Sequence, residues 1–112
     1  MTVSEFQQST SENPQPDSAL SKPLQALWWD AKGDWDKSHD VCQSAGSLDG
    51  DWVHAYLHRK EGDPGNASYW YSRARKPVFQ GSLEDEWSSM VESLLNADAL
   101  LCGVYFSEST CT

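Results

Sequence analysis

The sequence predicts an all-α domain built from two helical hairpins and a C-terminal capping helix. Two observations carry this reading. The dipeptides Gly33-Asp34 and Gly62-Asp63 lie 29 residues apart, and each reads as a helix stop followed at once by a helix start. Glycine takes the left-handed conformation past a helix end, aspartate caps the next helix, and Pro64 suits a first helical position. Between these breaks apolar residues recur at helical spacing.

Residues 1–20 are rich in Ser, Gln, Glu and Pro and are expected to form a disordered tail. The first helix opens at Ser21, with Leu24, Leu27, Trp28 and Ala31 at i, i+3, i+4 and i+7, and Gly33 ends it. Asp34 caps a second helix that carries Trp35, Ser38, His39 and Cys42 along one face and stops at Gly46. Ser47 to Gly50 reads as a loop. A third helix is expected from Asp51 to Glu61, with Trp52, Val53, Tyr56 and Leu57 facing inward and His54, His58 and Glu61 on the opposite side. A fourth runs from Pro64 to Arg75, with Ala67, Trp70, Tyr71 and Ala74 inward, and Pro77 forbids its continuation. After a connection at Val78 to Gly81, Ser82 caps a fifth, acidic-started helix through Leu83, Trp87, Met90, Val91 and Leu94. The helical domain thus spans 21–99. The apolar stretch in 100–112 is expected to pack on it, since left exposed it would form a sticky patch.

A chain of 112 residues suits one domain. Its net charge of −9 excludes nucleic acid and an anionic membrane surface as main partners, because both demand basic patches. No run approaches the roughly 20 apolar residues of a membrane span. The N-terminus lacks the basic and apolar regions of a secretory signal, and three cysteines without paired spacing suit reduced thiols. A cytoplasmic setting is therefore expected.

The two breaks belong to longer similar segments. Trp29-Asp-Ala-Lys-Gly33-Asp34-Trp35 and His58-Arg-Lys-Glu-Gly62-Asp63-Pro64 are each followed by a small residue, Ser38 or Ala67, four positions after the aspartate. Such a residue lets the second helix of a hairpin approach the first closely. The pattern resembles tetratricopeptide and Sel1-like repeats, most closely through Asn66-Ala67, Tyr69-Trp70-Tyr71 and Arg73-Ala74. More specifically, LWWDAKGDWDKSHD together with WVHAYLHRKEGDPGNASYWYSRA is similar to a family of small uncharacterised, mostly bacterial helical proteins. That resemblance covers Leu24 to Pro77 and implies no activity.

Two groups of residues are candidates for function. His54 and His58 stand at i, i+4, the spacing at which one helix offers two imidazoles to one metal ion. His39 on the neighbouring helix, Glu61 or an aspartate is the candidate to complete the site, and zinc or another divalent metal the implied cofactor. The plainer alternative is that these histidines bond to neighbouring side chains or face solvent. Arg59, Lys60, Arg73, Arg75 and Lys76 are five of the eight basic residues, gathered at the ends of the central hairpin. With Trp29 and Tyr69 they form a candidate binding surface for a protein or peptide, or for a second copy of the chain, because Trp, Tyr and Arg dominate binding hot spots. Internal pairing with Glu84, Asp85 or Glu86 is the competing reading. No nucleophile-base spacing or phosphate-cradling loop is present, so no catalytic residue is assigned. The expected role is an interaction or self-associating module, the alternative a metal-binding protein or metal-dependent enzyme.

Overall fold

The computed structural model describes residues 1–103, with side chains through Ala97. Within them the chain is all helical, with six helices: α1 (Val3–Glu12), α2 (Lys22–Ala31), α3 (Trp35–Ala45), α4 (Leu48–Lys60), α5 (Pro64–Ala74) and α6 (Leu83–Gly103). Helices α2 and α3 form one antiparallel hairpin and α4 and α5 the other. α3 packs on α4 at the junction, and α6 lies against α1, α2 and α4.

The two glycine-aspartate turns have nearly the same geometry. Gly33 has φ +94° and Gly62 φ +90°, in the left-handed region that costs a side chain bearing Cβ. Asp34 at φ −108°, ψ 81° accepts from the Lys37 N–H, and Asp63 at φ −116°, ψ 77° accepts from the Asn66 N–H. The Asp34 N–H returns to the Trp29 carbonyl and the Asp63 N–H to that of His58, both at 2.9 Å. The small residues after each turn, Ser38 and Ala67, are buried. Ser38 Oγ donates to the Ala26 carbonyl at 2.6 Å, binding the first hairpin across its closest approach. The correspondence extends to the helix ends. Gly46 closes α3 at φ 60° and Arg75, its counterpart 29 residues on, closes α5 at φ 62°.

Three expectations about where elements begin and end are corrected. Residues 1–20 are not wholly a disordered tail: α1 packs on the bundle, because Thr2 and Glu5 form a reciprocal capping box and Phe6 is fully buried. The Phe6 ring lies 5.8 Å from that of Trp87, and Ser9 Oγ accepts from the Trp28 indole N–H at 3.0 Å. The domain therefore begins well before residue 21. Ser47 to Gly50 is not a loop, since Ser47 accepts from the Gly50 N–H and α4 begins at Leu48. A Cβ on Gly50 would sit 2.8 Å from that of Ala45, so glycine there permits α4 to start tight against α3. The last helix continues through Gly103, with no glycine or proline to stop it sooner. The remainder of the predicted apolar tail, 104–112, lies outside the described residues.

The core joins Phe6, Leu24, Leu27, Trp28, Cys42, Val53, Tyr56, Leu57, Trp87, Met90, Val91 and Leu94 from five helices. Of the adjacent tryptophans on α2, Trp28 is buried, whereas Trp29 is half-buried and meets it edge-on at 5.0 Å. Helix α4 touches α2, α3, α5 and α6, and so has no solvent face along most of its length. This overturns the expectation that its histidines point away from the packed side.

Candidate metal centre

The junction between the hairpins brings all three histidines of the chain together. One ring nitrogen each from His39 on α3 and His54 and His58 on α4 lie within 4.8 Å of one another. His54 and His58 stack one helical turn apart at 4.7 Å, and His39 meets His54 edge-on at 4.5 Å. His54 and His58 are 4% and 7% exposed, and His39 is half-buried. The walls are aromatic. Trp70 of α5 stacks on His54 at 3.9 Å, and Trp35 stacks on His39 at 4.9 Å. Trp35 is itself held to α4 by donating its indole N–H to the Leu57 carbonyl at 3.0 Å.

Two features of this cluster suit metal ligation. Burial, and then the charges of His39 and His58, hold the His54 pKa down at about 4, so this imidazole is neutral at pH 7. Burial also lowers the His39 pKa, reinforced by His58 and opposed by Asp40, Glu61 and Asp36. Imidazole binds a metal in its neutral form. In addition, Glu61 Oε1 lies 2.8 Å from His58 Nδ1. That contact orients the ring and leaves Nε2 as the nitrogen available to an ion, the usual role of a carboxylate behind a ligating histidine. In a tetrahedral site with metal–nitrogen bonds of about 2.0–2.1 Å, neighbouring nitrogens stand about 3.4 Å apart. Closing the present cluster on an ion therefore takes ring adjustments on the order of 1 Å.

The basic residues go elsewhere. Arg59 pairs with the buried Glu86 at 2.8 Å and also donates to the Gly81 carbonyl, while Tyr71 donates its hydroxyl to the other Glu86 oxygen. Lys60 pairs at 2.8 Å with the buried Asp30, which also accepts from the Tyr56 hydroxyl at 2.8 Å. The pKa values of both tyrosines are raised by burial first and then by their carboxylate partners. Arg59 and Lys60 thus serve two tyrosine-carboxylate-cation networks, in line with internal pairing. Arg73, Tyr69 and Arg75 are exposed on α5. The Arg73 guanidinium lies 5.1 Å from the Trp70 ring and 3.6 Å from Asp51. Trp29 is remote in sequence from this group and is covered by Lys37 at 4.3 Å. An open cavity of about 470 Å³ is lined by Asp30, Tyr56, Lys60, Glu84 and Trp87, away from the histidines. Its most buried charge, Asp30, already has both oxygens bonded, so we place the candidate site at the imidazoles.

Sequence reasoning found the three histidines and Glu61 but missed the walls. Trp35 stands four residues before His39, a spacing that signals stacking on a helix; nothing local signals Trp70. Comparison with family models, curated proteins and solved structures finds no match for this chain. No helix among the described residues is long and apolar enough to cross a membrane.

Proposed function

We propose that this protein binds one divalent transition-metal ion through His39, His54 and His58. The supporting observation is the convergence of three imidazoles from two helices to within 4.8 Å of one another. Nitrogen donors favour zinc, copper, nickel or cobalt over magnesium and calcium, which seek oxygen. The test is metal analysis of untagged protein equilibrated with zinc and then freed of loose ion. About one ion per chain is expected, falling to none in His54→Ala and His39→Ala, with zinc raising the melting temperature of the parent alone. Absence of bound zinc in the parent, or stoichiometry unchanged in both variants, overturns the reading.

A second reading, an interaction or self-associating module, draws on Tyr69, which is 55% exposed and hydrogen-bonded at 3.3 Å by Arg73. Exposed aromatic-arginine pairs of this kind suit a protein partner or a second copy. Sedimentation across a concentration series tests the self-associating form: dimerisation should weaken in Tyr69→Ser, and a monomer at every concentration refutes it.

A further inference from the structure

We infer that the ion on His39, His54 and His58 keeps one coordination position free, and that this position takes water or a small monovalent anion. The inference rests on the metal reading above. Among the described residues the cluster supplies three ligand atoms. The carboxylate at hand, Glu61, is engaged on His58 Nδ1 at 2.8 Å. Cys42, three residues from His39, is turned into the hydrophobic core and bonds through Sγ to the His39 carbonyl at 3.3 Å. Three protein ligands and one exchangeable position is the pattern of an open zinc centre, whereas purely structural sites fill all four positions from the protein.

The surroundings give the position a direction and a selectivity. His54 and His58 are buried, so approach from solvent is on the side of the half-buried His39. Three imidazoles are neutral donors and leave a dication its full charge. Trp35 and Trp70 supply low-dielectric walls, which strengthen attraction for an anion and limit its size. Asp36, Asp40 and Glu61 lie near enough to act on His39 electrostatically. They oppose ligands of higher negative charge. A compact monoanion therefore satisfies the site better than phosphate does.

Cobalt(II) reports this directly, because its visible bands are strong when four-coordinate and weak when six-coordinate. The full chain would be loaded with cobalt and titrated with azide, thiocyanate and phosphate. Strong bands are expected that shift saturably with azide and thiocyanate, reverse on dialysis, and respond to phosphate only at much higher concentration. Glu61→Gln should hold cobalt about 10–100-fold more weakly, because the carboxylate behind His58 is gone, but once loaded should show the same shift with azide. Weak bands overturn the inference, as do strong bands indifferent to azide. Indifference that turns into a response in Glu61→Gln would identify Glu61 as the fourth ligand and also overturn it. Failure to bind cobalt at all would instead remove the metal reading itself.

Discussion

Mild acid should destabilise the metal-free protein through His54. Its pKa falls from the ordinary 6.5 to about 4 on folding, chiefly because burial beneath Trp70 removes the water that would solvate the cation, and then because His39 and His58 lie beside it. The unfolded chain therefore binds a proton that the folded chain refuses between those two values. Stability from this residue is fully present above pH 6.5 and is lost as pH falls towards 4. At about 1.4 kcal/mol per unit, the full loss is about 3 kcal/mol, of which about 2 kcal/mol is gone by pH 5. His39 shifts in the same direction and adds to the effect. The groups facing His54 are His39 and His58, so no carboxylate offsets the charge at close range. The assay is urea unfolding with a chelator present at pH 7 and pH 5, for the parent and for His54→Gln. Effects of the net −9 charge are shared by both proteins and cancel in the difference. The acid-induced loss should be smaller in the variant by about 2 kcal/mol. Equal losses in the two proteins, or an imidazole resonance for His54 that titrates near 6.5, would refute the reasoning.

Further outcomes follow from other parts of the fold. Phe6→Ala should cost about 3–5 kcal/mol in urea unfolding, since the ring is fully buried; a change under 1 kcal/mol would mean α1 is not part of the folded unit. Glu86→Ala should cost about 3–5 kcal/mol by the same measurement, because it strands the Arg59 guanidinium and the Tyr71 hydroxyl, and Glu86→Gln should recover part of that. Arg75→Gly should raise stability by up to about 1 kcal/mol, because Arg75 holds φ 62°, whereas Arg75→Val should lower it. Burial, reinforced by Asp51 and Asp40, pushes the Cys42 thiol up to about 12, so mass mapping should find it unlabelled by a thiol reagent at pH 8 until the chain unfolds.

The parts of the fold that were legible in the sequence are those where one residue type answers a local demand. Gly33 and Gly62 mark left-handed backbone, Asp34 and Asp63 cap the helices that follow, and Pro77 forbids another turn. Helix α1 was missed because composition outweighed a local signal. Thr2 and Glu5 spell a capping box, yet the helix buries only Phe6 and Thr10, too few apolar positions to show a period. His54 and His58 were legible as a pair because one helix sets their spacing. That His39 joins them depended on α3 lying beside α4. The bond from Arg59 to Glu86 spans 27 residues between helices that are not neighbours in sequence, and only the assembled bundle brings the two together.

The placement of the histidines says something about how the two hairpins are joined. At an offset of 29 residues, His54 corresponds to Gln25, His58 to Trp29 and His39 to Ser68. The backbone turns repeat while these three positions do not, so the cluster is not a feature that each hairpin carries for itself. It occupies the junction, where α3 of the first hairpin faces α4 of the second. Stacked helical hairpins depend on such junctions, and an array of only two has a single one, with its ends to be covered by other means. Here α1 and α6 cover the first hairpin's flank through Phe6, Trp87 and Met90. The junction itself is left to Trp35, Trp70 and three imidazoles that meet one another mainly ring against ring, with Trp35 bonded to the Leu57 carbonyl and His58 to Glu61. An ion ligated from both α3 and α4 would bond the three imidazoles to one another across the helices and tie the hairpins at the one seam they share. Metal uptake should therefore raise the stability of the seam most, and amide exchange in α3 and α4 should slow more than in α1 or the N-terminal half of α6 when zinc is added.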